Sequence, residues 1–372
     1  MSRFENRLFT LLRPHRGNIA LSIIASFCFL LPVELYLRYF PQTLPQPLGN
    51  YLATGYHDDL TGIYRYNPGM KMYLMRPNYE REMYFNGYRW HHKTDAMGFR
   101  NPVTRSSADI VLLGDSMVYG HGIEETSTIR HFLEEMTQKP VANLGIQQNS
   151  IHQEYQVLKH FGLKLQPKYV FVFFLQNDII DLTMSLSDEE MKNFLAIPVS
   201  DHHTPYFEAK PLLTNWLRPI NRYLRELYVI KAYIFLKKYL RTGQYANAEK
   251  LIGDYDDSWQ VLPFFQEQPR LLLAMKFHLH ALRKIQDLAD THHFKFVNIF
   301  VYTGFFKNEE NLYEQIFLSF CHKHDIAFLS LRNEFRTALE DDQELFLKGD
   351  GHFSEQGARL TAKIIVSLID KM

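Results

Sequence analysis

Residues 110 to 122 read Ile110-Val111-Leu112-Leu113-Gly114-Asp115-Ser116-Met117-Val118-Tyr119-Gly120-His121-Gly122. The first four are apolar and partly β-branched, as in a strand buried on both faces of a parallel sheet. Gly114-Asp115 ends the strand in a tight turn and a helix follows. The turn lifts Ser116 to the carboxyl end of the sheet, where open α/β folds bind ligands. It also sets the Ser116 N–H near a helix N-terminus, where it can face a developing oxyanion. Taken alone the tripeptide says little, because Ser is a frequent helix N-cap.

Outward from this stretch, short apolar segments alternate with helical ones. Further strands are expected at Val141–Leu144, Tyr169–Leu175, Phe296–Tyr302 and Ile326–Leu329, and helices near 126–137, 150–162, 271–292, 308–324 and 355–370. This βαβα order predicts a doubly wound parallel α/β sheet. No internal repeat is present.

Polar residues gather at the expected strand ends. Asn143-Leu144-Gly145 closes the second strand, and a Gly145 N–H can approach a substrate closely because no side chain blocks it. Gln176-Asn177-Asp178 closes the third, with the Asn177 amide a second candidate donor and Asp178 read as a structural turn residue. Before the last helix stands Asp350-Gly351-His352-Phe353-Ser354. His352 can take the Ser116 proton while Asp350 holds the other imidazole nitrogen. His121 lies close to Ser116 in sequence, but on the turn, and is the weaker candidate for the base.

With these residues in order, the chain resembles the SGNH (GDSL-like) hydrolases, whose four blocks supply Ser, Gly, Asn and His. Ser116, Gly145, Asn177 and His352 fall at those positions, over about 108–180 and 294–372. Tyr119-Gly120-His121-Gly122 and Gly98-Phe99-Arg100 also resemble membrane-anchored members. The resemblance implies a flavodoxin-like three-layer fold, no metal or other cofactor, and hydrolysis or transfer of ester-linked acyl groups. The implied oxyanion hole is the Ser116 and Gly145 N–H groups with the Asn177 side chain. Two departures stand out: Leu175 replaces the usual glycine of the third block, and Asp350 is two residues before His352 rather than three.

The remaining chain divides into a cytoplasmic basic arm (1–18), a transmembrane helix (19–40), a linker and β-rich lead-in (41–107), and the hydrolase domain (108–372) with a helical insertion at about 181–270. Ile19 to Phe40 has about the length needed to cross a bilayer, which takes roughly 20 residues. Arg3, Arg7, Arg13 and Arg16 precede it, so the positive-inside rule predicts an inner-membrane protein with a periplasmic catalytic domain. In the lead-in, Asn67-Pro68-Gly69 and Asn86-Gly87 are turn signals between short alternating stretches. Within the insertion, a basic aromatic helix near 222–240 reads as a cap over the active-site edge, with a membrane-surface helix the competing reading.

Lys+Arg and Asp+Glu both number 41, so the basic excess of a nucleic-acid-binding protein is missing. Cys28 lies in the apolar run, far from Cys321, and no disulfide is expected. His278-x-His280 and His322-x-His324 are poor chelates on helices, where residues two apart do not share a face. The expected function is an esterase for O-acyl, for example O-acetyl, groups of an envelope glycan or lipid, through a Ser-His-Asp acyl-enzyme. A sugar hydroxyl as acceptor would make it an acyltransferase, and membrane-anchored relatives imply a multi-pass acyltransferase as partner. A non-catalytic binding module on the same fold is the alternative of a different class.

Overall fold

The five apolar segments pair into one sheet. A computed structural model describes residues 16–53, 62–202, 227–233, 236, 268–303 and 307–372. The protein divides into two units, one of residues 1–61 with 214–247 and the other of 62–213 with 248–372.

In the first unit, helix α1 spans Arg16–Tyr39 and α2 spans Gln46–Ala53. Pro32 lies within α1, and Arg38 pairs with Glu34 one turn earlier at 2.8 Å. Leu21, Ile24, Phe27 and Phe29 of α1 are exposed. Among the described residues no helix is long and apolar enough to cross a membrane. The basic residues Arg3, Arg7 and Arg13, and most of the 222–240 stretch, lie outside the described residues. The described part of that stretch packs on α1. Glu34 accepts from the Val229 N–H at 2.9 Å, and Arg38 lies 4.8 Å above the Tyr228 ring.

The second unit begins with the lead-in, which forms two antiparallel hairpins: β1 (Tyr64–Asn67) with β2 (Met72–Met75), and β3 (Glu80–Phe85) with β4 (Tyr88–Lys93). Asn86-Gly87 turns the second, with φ of 48° and 93°, as a type I′ turn demands.

The parallel sheet follows. Its strands are β5 (Ile110–Leu113), β6 (Val141–Asn143), β7 (Tyr169–Phe174), β8 (Lys295–Phe300) and β9 (Ala327–Ser330), in spatial order β6-β5-β7-β8-β9. Every pairing is parallel. The order reverses between β5 and its neighbours, so the crevice at the β5 carboxyl end is the topological switch point.

Helices cover both faces. They are α3 (Ser116–Tyr119), α4 (Ile129–Thr137), α5 (Ile151–Val157), α6 (Asn177–Ser185), α7 (Asp188–Leu195), α8 (Pro269–His292), α9 (Lys307–Lys323), α10 (Arg332–Glu340) and α11 (Glu355–Ile369). Phe171 and Phe173 of β7 join Ile129, Phe132, Phe335 and Ile365 of α4, α10 and α11 in one core. Phe174, on the opposite face, meets His278 of α8 and Phe317 of α9. Each such aromatic is fully buried, and truncation to Ala would cost about 3–5 kcal/mol. Both cysteines are free thiols.

Candidate active site

The turn that carries Ser116 is built by what will not fit elsewhere. A Cβ on Gly114 would lie 2.5 Å from Val118 Cγ2 and 3.2 Å from Phe173 Cβ, so only glycine lets the chain leave β5 this way. Asp115 then caps α3, its carboxylate accepting from the Met117 N–H at 2.9 Å. The capping role therefore belongs to Asp115 and leaves the Ser116 hydroxyl available. Helix α3 is a single turn of four residues, ended by Gly120 at φ 84°. Its macrodipole is correspondingly small, and what it offers an oxyanion is the orphan N–H of Ser116, its first residue.

Ser116 Oγ lies 2.7 Å from His352 Nε2. The other ring nitrogen, Nδ1, bonds Asp350 Oδ1. Burial raises the Asp350 pKa, but the hydrogen bond and charge of His352, with help from His121 and Asn86, outweigh it and hold the carboxyl below its ordinary range. Ser116, Asp350 and His352 line a cavity of about 600 Å³ together with Met117, Leu175, Gln176, Asn177 and Thr303. Leu175, at the departure from the glycine pattern, is thus a wall of the pocket.

The other expected donors are placed differently. Asn177 opens α6 and lines the cavity, and its Nδ2 donates to Asp181 Oδ2 at 3.2 Å. Gly145 is not among the cavity-lining residues, and its N–H donates to Asn143 Oδ1 at 2.9 Å. Its lack of a side chain serves close approach: a Cβ there would lie 2.6 Å from the Tyr119 backbone nitrogen. Asp178 accepts from the Leu175 N–H at 3.0 Å and closes the strand-end turn. Burial first, then the nearby charge of Asp115, pushes Asp178 and Glu154 well above the usual carboxylate range. Buried carboxyls this close cannot all ionise.

Reading the residues in order misses several parts of this site. His121 is not a bystander on the turn but stacks on His352, with ring centroids 4.1 Å apart. Its Nδ1 bonds Gln147 Oε1 at 2.7 Å, and Trp90 and Phe85 flank the ring. Burial, then the charge of His352, lowers the His121 pKa to about 3, so the ring is neutral. His121, Asp350 and His352 each offer a ligand atom within 4.8 Å of the others. Both His352 nitrogens are engaged, by Ser116 and Asp350, and His121 Nδ1 is engaged by Gln147. Arg100, fully buried, donates to the Gly120 and Ile123 carbonyls at 2.5 and 2.7 Å and fixes the loop that carries His121. Its place in Gly98-Phe99-Arg100 was the available signal.

No family model and no curated protein matches the chain. Solved structures do. A lipolytic protein of the G-D-S-L family from Veillonella parvula is 12% identical, covers 71% of this chain and 98% of its own, and has a TM-score of 0.38. An acetyl-xylooligosaccharide esterase from Geobacillus stearothermophilus is 11% identical over 70% of this chain and 94% of its own, with a TM-score of 0.39. The acetyl xylan esterase AlAXEase is 13% identical over 70% and 99%, with a TM-score of 0.38. At such values the site is read from its own geometry.

Proposed function

We propose that this chain is a serine esterase of the SGNH kind that removes O-acyl groups, for example O-acetyl, through an acyl-enzyme. The observation that carries this is the 2.7 Å contact of Ser116 Oγ with His352 Nε2 at the wall of an open cavity, with Asp350 on the far ring nitrogen. Ser116 Oγ attacks the ester carbonyl as His352 accepts its proton. The negative charge on the carbonyl oxygen is met by the Ser116 N–H, and by the Asn177 amide as it exchanges Asp181 for substrate. The Gly145 N–H joins them only by exchanging Asn143 for substrate. His352 then protonates the departing alcohol, and water, activated by the same base, releases the acid.

The substrate in this reading is an acylated glycan or lipid of the cell envelope. Helix α1 is the membrane attachment, supported by Phe27 and Phe29 being 63% and 72% exposed along it. The catalytic unit then faces the periplasm. A sugar hydroxyl in place of water gives the transferase variant, with a multi-pass acyltransferase as partner.

The test is covalent labelling of the full-length, detergent-solubilised protein by a fluorophosphonate. Labelling of wild type that is lost in both Ser116→Ala and His352→Ala is the expected result. A folded wild-type protein that takes no label would overturn the esterase reading and favour a binding module.

A further inference from the structure

The catalytic acid sits on weak ground. Asp350 lies between Gly349 and Gly351, both with positive φ (72° and 87°). Glycines on either side give the backbone no intrinsic preference for the observed path, and ordering it is costly in conformational entropy. Within the loop the Asp350 and Gly351 N–H groups donate to the Leu347 carbonyl at 3.1 and 3.2 Å, which fixes the backbone but leaves the second carboxylate oxygen to a partner outside it.

The second hairpin of the lead-in meets the loop at two points. Asn86 Nδ2 donates to Asp350 Oδ2 at 2.8 Å, across 264 residues of sequence. Two positions along, the Tyr88 hydroxyl donates to the Lys348 carbonyl at 3.1 Å. The Asp350 carboxylate thus has one oxygen on His352 and the other on Asn86, and its side chain is 1% exposed. With one oxygen pinned on each side, the group can neither rotate nor swing into the cavity.

We infer that Asn86 is a positioning residue for the Asp350–His352 pair, and that the β3–β4 hairpin is a structural part of the active site rather than a lead-in to it. The inference rests on the esterase reading only for its kinetic consequence; the positioning itself is independent of it.

The turn allows a clean substitution. Gly is as compatible as Asn with the left-handed φ of 48° at position 86, so Asn86→Gly removes the donor and keeps the turn. Asn86→Asp also tolerates that conformation but replaces the donor with a second carboxylate. The titratable groups facing Asp350 are His352 and His121. The added carboxylate repels that of Asp350 and leaves its Oδ2 without a donor.

Two measurements on the full-length protein test this. The first is the low-field proton resonance of His352 Nδ1, which reports its hydrogen bond to Asp350 whether or not the protein is an esterase. The second is the fluorophosphonate labelling rate against pH. Asn86→Gly should shift or broaden the resonance and slow labelling about ten- to a hundredfold, the range for losing a hydrogen bond to a charged group, without loss of fold. Asn86→Asp should slow labelling at least as much. A folded Asn86→Gly protein with an unchanged resonance and unchanged labelling would overturn the inference. A resonance that responds to Asn86 in a wild-type protein that takes no label would uphold the positioning role and overturn the esterase reading instead.

Discussion

The His121 ring stacks on the His352 ring at 26° and 4.1 Å, so the proposed base works against a second, neutral imidazole. Such a face stabilises a ring that becomes cationic, by cation–π attraction of about 0.5–2 kcal/mol. His121→Ala should therefore slow fluorophosphonate labelling by about tenfold, whereas His121→Phe, which keeps a π-face, should retain most of the rate. Equal losses in the two variants would show that the imidazole's bond to Gln147, not its stacking, is what matters.

Asn177 and Gly145 should separate in their effects. Asn177→Ala removes a donor that lines the cavity and should lower kcat for a small ester by about 10²- to 10³-fold with little change in KM. Gly145→Ala instead drives a Cβ to 2.6 Å from the Tyr119 nitrogen and should lower the melting temperature as well as activity. A Gly145→Ala protein with an unchanged melting temperature would refute this packing role.

Asp181 carries a pH signature. Burial, then the charge of Asp115, raises its pKa from 3.8 to about 6, with Asn177 partly opposing. A raised carboxyl binds its proton more tightly folded than unfolded. Its stabilising contribution is complete below about pH 4 and is lost as pH rises through about 6. Asp181→Asn should therefore match wild type in stability near pH 4 and exceed it at pH 8, by about 3 kcal/mol at most. Thermal melts at the two pH values check this; a variant no more stable at pH 8 would refute it.

His278 works in the opposite sense. It is fully buried between Phe174 and Phe317, and neither ring nitrogen has a hydrogen-bond partner among the described residues. Burial lowers its pKa to about 3. The unfolded chain takes up the proton near 6.5, so stability is present above that value and is lost as pH falls toward 3. His278→Leu should move acid unfolding, followed by circular dichroism, to lower pH. An unchanged acid midpoint would show that His92, His121 and His152, each also lowered to about 3, dominate instead.

Much of this architecture is legible in the chain. The five strands are apolar, short and uninterrupted, so their pattern survives without tertiary information, and each lies within two residues of its expected place. Helices α6, α7 and α10 were not anticipated. They are short, of eight or nine residues, and polar on average for Asp188–Leu195 and Arg332–Glu340; Asp188–Leu195 is set by a capping box at Ser187 and Glu190. At the site, Ser116, Asp350 and His352 stand out because few residue types can do their chemistry. Asn86 does not, since Asn-Gly is already accounted for as a turn, and the local reading hides the long-range one. Gly145 shows the converse, a residue type noticed for its N–H and used for its missing side chain.

The partners of the proposed triad lie 236 residues apart in the chain, and Asn86 is farther still from the acid it holds. Closing so long a loop is among the slowest events in forming such a sheet. Until the segment bearing Asp350 and His352 has returned to the end of β5, Ser116 is an ordinary alcohol. A nascent or partly folded chain thus lacks the proposed triad, which exists only once the fold is complete.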